Sequence, residues 1–198
     1  MEKSIHAEHI ILEDDVVLLR PLERTDFEHL LHFAVEEPEI WKFSLVAVQG
    51  EAGLRNYLDS AMDAREAGTE YPFIVFDKRN NQYAGSTRFY VMELKNGSLL
   101  LGYTWYGNSF QGTGLNKHCK FLLLQYAFEI LMLERVEFRA DIRNHRSVAA
   151  MKSIGCTVEG VLRSNNILRE GGRRDTIVLS ILKTEWFAIV KANLLAKL

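Results

Sequence analysis

Cysteine is scarce in this chain: Cys119 and Cys156 are the only two in 198 residues. A disulfide framework would need more, so a reducing, cytoplasmic compartment is the simpler expectation, with both thiols serving as small buried hydrophobes. Proline is nearly as rare. Pro21, Pro38 and Pro72 are the only three, and no Pro- or Gly-rich linker or internal repeat divides the chain. Long apolar runs are missing: no stretch approaches the ~20 residues that a membrane-spanning helix needs. The first residues mix charges with His6 and His9 instead of building an apolar signal-peptide core. Surplus positive charge is also absent. Lys and Arg number 24 against 26 Asp and Glu, a net charge of -2, with a pI near 6.3. A nucleic-acid binder working through bulk charge would be basic. The histidines, including His29 and His32, are scattered, so no metal-ligand set is read. Nucleic acid, membrane and metal are therefore not expected as partners.

What is there fits one globular domain. The chain is 47% hydrophobic and 25% charged, long enough for a sizeable core. Residues 16–20 read as a first strand stopped by Pro21. Thr25, with Glu28 as its capping-box partner, opens a helix running to about residue 36. Residues 51–67 form a second helix, with Leu54, Leu58 and Met62 on one face and Gly68 beyond its end. A fully apolar strand covers 73–76. Strands over 82–93 and 98–106 pair as a hairpin around Asn96-Gly97. A long helix, about 113–131, is apolar on most sides and should be buried. A cleanly alternating strand covers 135–142, and a short helix covers 147–154, closed by Gly155. Two more strands, 157–168 and 173–182, meet at Gly171-Gly172, and an amphipathic helix over 184–198 ends the chain. The order β-α-α-β-β-β-α-β-α-β-β-α is mixed α/β, with one sheet and flanking helices.

The most informative segment is Gln111-Gly112-Thr113-Gly114-Leu115-Asn116, placed between a strand and a long helix. Glycines let backbone N–H groups turn toward a ligand that approaches closely. A helix N-terminus adds partial positive charge, and together they suit phosphate oxygens. Gly112 and Gly114 do not have P-loop spacing, and Lys117 stands where a dinucleotide fingerprint needs its third glycine. Spacing alone leaves an anion site or a plain turn.

This loop resembles the Gln/Arg-x-x-Gly-x-Gly/Ala motif of the GNAT N-acetyltransferase superfamily. The stretch 101–105, the loop, Asn144-His145-Arg146-Ser147 and Glu159-Gly160-Val161-Leu162-Arg163 follow in the order of its ribosomal-protein N-acetyltransferase-like, Rim-type branch. The resemblance covers roughly residues 14–187. It implies a single N-acetyltransferase domain with a tail at 1–13 and a C-terminal helix at 184–198. It also implies a central mixed, mostly antiparallel, splayed sheet flanked by helices. Asn116, where the motif has Gly or Ala, departs from it: a larger side chain there would crowd a pyrophosphate or donate to it.

The resemblance further implies direct attack of an amine on acetyl-CoA, both substrates being bound together. Residues 111–116 would hold the pyrophosphate. The end of the central strand, Trp105-Tyr106-Gly107, would aim free backbone N–H groups at the thioester oxygen. Ser147 would assist the leaving thiolate, and Asn144 would hold pantetheine amides or the acetyl group. As plain structure, Asn144 reads equally as a helix N-cap with Ser147 near N3. Glu93 and Glu159 are candidates for the base, each with a solvated-strand reading beside it. Lys117, His118, Lys120, Arg143 and Arg146 are candidates for the CoA phosphates, or a solvated charged face. The acceptor amine is a protein N-terminus or a small molecule. A homodimer or an internal core would serve equally to bury the 113–131 and 185–198 helices. The alternatives are a non-catalytic acyl-CoA-binding module and a nucleotide-binding domain.

Overall fold

The computed structural model describes residues 5–46, 48–168 and 171–198, without the side chain of His6. Residues 1–4 of the expected tail therefore lie outside the described residues. Strands are β1 (Leu12–Glu13), β2 (Val17–Pro21), β3 (Glu70–Asp77), β4 (Gln82–Glu93), β5 (Ser98–Tyr106), β6 (Arg135–Asp141), β7 (Thr157–Ile167) and β8 (Arg173–Leu182). Helices are α1 (Phe27–Glu36), α2 (Gly50–Glu66), α3 (Leu115–Gln125) and α4 (His145–Ser153). A C-terminal helical run follows: Lys183–Glu185, a π-helical turn Trp186–Val190, and Lys191–Leu195. The eight-stranded sheet has the order β1-β2-β3-β4-β5-β6-β8-β7. This is the mixed, mostly antiparallel sheet with helices that the sequence implied, plus a short extra strand at the start.

The chain forms two compact units. The first runs to Met92 and includes Gly102–Cys119. Its strands β1 to β4 are antiparallel neighbours. β2 alternates, with Val17, Leu19 and Pro21 buried; β3 is buried on both faces from Tyr71 to Val75, as a fully apolar run requires. Leu30 and Phe33 of α1 and Leu54, Tyr57, Leu58 and Ala61 of α2 add their apolar stripes to this core.

The start of α1 differs from the expectation. A 3-10 turn, Arg24–Asp26, precedes it. Glu23, not Thr25, is the N-cap of that turn, and Asp26 closes its capping box: its buried carboxylate accepts from the Glu23 N–H at 2.9 Å and pairs with Arg20. The segment read as a tail is anchored at two points. Ile5 and Ile10 are buried, and the Tyr71 hydroxyl accepts from Ile10 N–H (3.0 Å) while donating to the Glu8 carbonyl (2.6 Å). Gly85 permits the close approach of β4 to β5, because a Cβ there would lie 2.1 Å from the Trp105 carbonyl oxygen. Val91 and Tyr103 take left-handed backbone, φ 46 and 48, which breaks the regular pleat.

The second unit comprises Glu93–Leu101 and Lys120–Leu198. β5 pairs parallel with β6 over Ser98–Leu100, β6 pairs antiparallel with β8, and β8 with β7. The long central helix ends at Gln125 and continues as a π-helical turn, Tyr126–Ile130. Trp186 explains why both π turns persist. Its ring stacks on Phe128 at 5.6 Å, and its Nε1 donates to Glu129 at 2.9 Å. Lys191 also donates to Glu129, at 3.0 Å. In α3, Leu115, Cys119, Lys120, Phe121, Leu123 and Leu124 are buried and the other residues are half-buried. Phe187, Ile189 and Leu195 of the C-terminal run stay exposed. Among the described residues, no helix is long and apolar enough to cross a membrane.

Candidate active site

In the first unit, β5 delivers the chain into a tightly braced loop. Trp105 and Tyr106 are buried. Gly107 fits only as glycine, because a Cβ would meet the Phe33 ring at 2.1 Å. Its N–H donates to the Ala84 carbonyl at 3.0 Å. The expectation of a free N–H at Gly107 is thus overturned: the strand ladder uses it. The Asn108 N–H donates to Glu37 at 2.6 Å, and a 3-10 turn, Asn108–Phe110, leads to the glycines.

Four contacts set the loop's shape. The Gln111 side-chain amide donates to the Tyr106 carbonyl at 2.7 Å, and the Thr113 hydroxyl donates to the Phe110 carbonyl at 2.8 Å. The Arg79 guanidinium reaches the Thr113 carbonyl at 3.1 Å, while the Lys117 N–H closes the first helical turn on the Gly114 carbonyl at 2.8 Å. Gly112 and Gly114 have φ of 78 and 88, and the space where their Cβ atoms would stand is open within 4 Å. Among the described residues, no protein oxygen accepts from the N–H groups of Gly112, Thr113, Gly114, Leu115 or Asn116. Leu115 anchors the helix start, fully buried.

Asn116 has a definite partner. Its Oδ1 accepts from the Tyr106 hydroxyl at 3.3 Å. Tyr106 is buried, and burial pushes its pKa well above the ordinary value, with Cys119 adding to the effect. Asn116 therefore gives a buried hydroxyl somewhere to donate. Lys117 makes no ion pair among the described residues. His118 meets Asp14 at 2.7 Å, and Lys120 is buried and has a partner. Burial opposes the Asp14 charge, but His118 and two backbone N–H groups outweigh it and lower that pKa.

Arg79 carries no motif in the sequence, yet it organises this loop. It is held by Asp77 at the end of β3: Nε to Oδ1 is 3.0 Å and Nη2 to Oδ2 is 2.8 Å. Asp77 also accepts from the Arg79 N–H at 3.0 Å. The same corner recurs in the second unit at the end of β6. There Asp141 accepts from the Arg143 N–H (3.0 Å), Nε (2.9 Å) and Nη2 (2.6 Å). Two Asp-x-Arg triplets at strand ends were the signal available to find both.

The second-unit corner sets up α4. The Asn144 N–H donates to the Asp141 carbonyl at 2.9 Å, and Asn144 Oδ1 accepts from the Ser147 N–H at 3.1 Å. Asn144 is thus the N-cap, and α4 begins at His145, two residues before the expected start, because the cap supplies the first turn's acceptor. The carboxamide Nδ2 and the Ser147 hydroxyl make no hydrogen bond among the described residues. Glu159 is not a base: Arg135 grips it with both terminal nitrogens, Ser180 donates to it at 2.7 Å, and its pKa falls to about 2. Glu93 is exposed and accepts only weakly, from Asn96 at 3.4 Å.

Comparison with known proteins accords with these features. The Acetyltransferase (GNAT) domain family matches residues 17–157. The putative ribosomal N-acetyltransferase YdaF of Bacillus subtilis is 29% identical over 175 residues, 80% of this chain and 94% of that protein. A putative acetyltransferase structure from T. thermophilus is 34% identical, covers 97% of this chain and 98% of its own, and superposes with a TM-score of 0.86. RimL, a ribosomal-protein alpha-N-acetyltransferase solved with coenzyme A, shares the fold: TM-score 0.76 at 19% identity, with 87% and 98% covered. The chain is an N-acetyltransferase of the GNAT family.

Proposed function

We propose that the chain acts as one N-acetyltransferase domain, with its core at about 14–187, that moves an acetyl group from acetyl-CoA to a primary amine by direct attack with both substrates bound. The family match, residues 17–157, draws on both compact units. The observation that carries the donor assignment is the run of unpartnered N–H groups from Gly112 to Asn116, beside two left-handed glycines whose open space suits phosphate oxygens. In this reading Gly112, Thr113, Gly114, Leu115 and Asn116 give their N–H groups to the pyrophosphate. The side chains of Gln111 and Asn116 position the loop.

The thioester supplies the activated acetyl group. The Trp105 and Tyr106 backbone would steady the developing oxyanion. The Ser147 hydroxyl would donate a hydrogen bond to the departing sulphur, and the Asn144 Nδ2 would hold a pantetheine or acetyl carbonyl. Both assignments rest on their places in the Asn-x-x-Ser motif. The acceptor is a protein N-terminus or a small amine, and the free cysteines Cys119 and Cys156 suit a cytoplasmic setting. A homodimer would draw on exposed apolar residues such as Phe187, Ile189 and Leu195 of the C-terminal run.

Heat-unfolding scans with acetyl-CoA, ATP and NAD, joined to thiol release over a panel of amines and N-terminal peptides, test this reading. Acetyl-CoA should raise Tm and support turnover; ATP or NAD doing so in its place would refute the assignment. The pairing of Glu159 leaves no base assigned and favours one competitor, an acyl-CoA-binding module without transfer. Saturable CoA binding with no acceptor acetylated would select it. Ser147→Ala should lower kcat by about tenfold while leaving acetyl-CoA affinity unchanged; an unchanged kcat removes Ser147 from the mechanism.

A further inference from the structure

The first unit buries a cation of which one nitrogen in three is hydrogen-bonded among the described residues. Arg88, on β4, is 3% exposed. Its Nη1 donates to Glu70 at 2.6 Å, but Nε and Nη2 have no hydrogen-bond partner among the described residues. Its Cζ lies 4.8 Å from the Tyr57 ring centroid and 4.4 Å from that of Tyr103. Two aromatic rings thus lie against the guanidinium, and Nε and Nη2 are its nitrogens left without an acceptor. Those two donors are parallel and match the two oxygens of a carboxylate. Buried charged donors without acceptors are costly, and native structures retain few of them.

A second orphan lies on the same aromatic chain. Trp41 is buried with its Nε1 unpartnered. Trp41 packs on Trp105 at 4.7 Å, and the Trp105 Nε1 donates to the Tyr57 hydroxyl at 3.3 Å. Tyr57 is one of the rings against Arg88. The cover is Tyr103, 38% exposed and held at φ 48. Backbone of that kind in a non-glycine residue is strained, and strain of this sort collects where ligands bind.

We infer that Arg88 is the anchor for a carboxylate on the amine acceptor, with Trp41, Tyr57, Tyr103 and Trp105 as an aromatic surround. This rests on the acetyltransferase reading and narrows its acceptor to amines that also bear a carboxylate. A carboxylate fits better than a phosphate, because its two in-plane oxygens match the Nε/Nη2 fork and its single charge adds less repulsion against Glu70, which already pairs with Arg88.

Benzoate, benzamide and inorganic phosphate are the probes, scored by Tm, with L-phenylalanine and its amide as a matched acceptor pair in the transfer assay. Benzoate should raise Tm, while benzamide and phosphate at equal concentration should not. The free acid should be acetylated with kcat/KM at least about tenfold above the amide. Arg88→Lys keeps a charge for Glu70 but lacks the fork, so it should abolish the benzoate shift and keep the acetyl-CoA shift. Glu70→Gln removes the competing carboxylate and should enlarge the benzoate shift. It decides the matter if Arg88→Lys does not fold. Equal shifts with benzoate and benzamide, a shift from phosphate instead, a benzoate shift surviving Arg88→Lys, or no preference for the acid overturns the inference. The acetyl-CoA shift is read in the same scans, so failure of the acetyltransferase reading shows separately as its absence.

Discussion

Two helices begin just after strand-end Asp-x-Arg corners have done their work, and they begin in opposite ways. α4 follows Asp141 directly, and Asn144 closes its first turn with a side-chain oxygen. α3 follows a loop braced by Arg79, whose carbonyl contact is to Thr113. There the first N–H groups keep no protein acceptor and the glycines stand where caps usually stand. A side-chain cap spends a helix's N-terminal donors on the fold. Glycines in left-handed backbone keep them available for an outside anion. The difference separates a helix start built for stability from one built for a ligand.

The largest effect should come from filling the open start. Gly114→Val puts a β-branched residue at φ 88, at a strain on the order of 1–3 kcal/mol, and crowds the space over the loop. Acetyl-CoA affinity by calorimetry should fall by about a hundredfold or more, and an unchanged Kd would refute the pyrophosphate assignment. Next come the corners. Arg79→Met and Arg143→Met each leave a buried aspartate without its guanidinium, so both should lower stability by roughly 1–3 kcal/mol in urea titrations. Only Arg79→Met should also weaken acetyl-CoA binding, by about threefold to tenfold, through the lost Thr113 brace. Equal effects on binding would erase the distinction between the corners. Smaller again is the cap. Asn144→Ala should cost about 1 kcal/mol of stability, whereas Asn144→Asp keeps the acceptor and should cost little. If the Asn144 Nδ2 serves the cofactor, both variants should lower turnover; a normal rate in Asn144→Asp would leave Asn144 as a cap alone.

The sequence carried the open start further than its bracing. Gly112, Gly114 and the strand-loop-helix order are local, and so is the Asn144 to Ser147 spacing of a cap. Local geometry survives translation into structure. Gln111 and Asn116 were read as ligand groups because the motif aligned them. Their side chains meet the Tyr106 carbonyl and hydroxyl, contacts that the motif does not encode. Arg79 and Thr113 are 34 residues apart in sequence, and nothing in either neighbourhood marks the contact. Arg88 looked like any polar position on a strand, since its burial depends on Tyr57 from a helix and Tyr103 from another strand. The π-helical turns were invisible too. They follow from where Trp186 and Glu129 meet, not from the periodicity of either helix.

Acid should expose the finest difference. Asp141 is held below its ordinary pKa chiefly by Arg143; for Asp77, burial works the other way and Arg79 outweighs it. A carboxylate whose folded pKa lies below its unfolded one adds stability that is complete above the unfolded value and is lost as pH falls through the folded value. Both corners should therefore weaken below pH 3.8, the ordinary value. Glu159, remote in sequence from both corners, supplies the baseline. Its pKa drops from 4.5 to about 2, first through Arg135 and then Ser180. Its side chain is 38% exposed, so solvent screens much of the gain. In urea titrations between pH 5 and 2, Glu159→Gln should flatten the acid limb slightly, Asp141→Asn more so. If Glu159→Gln flattens it as much as Asp141→Asn, the acid sensitivity belongs to surface pairing in general, and the strand-end corners lose their special standing as the supports of the two helix starts.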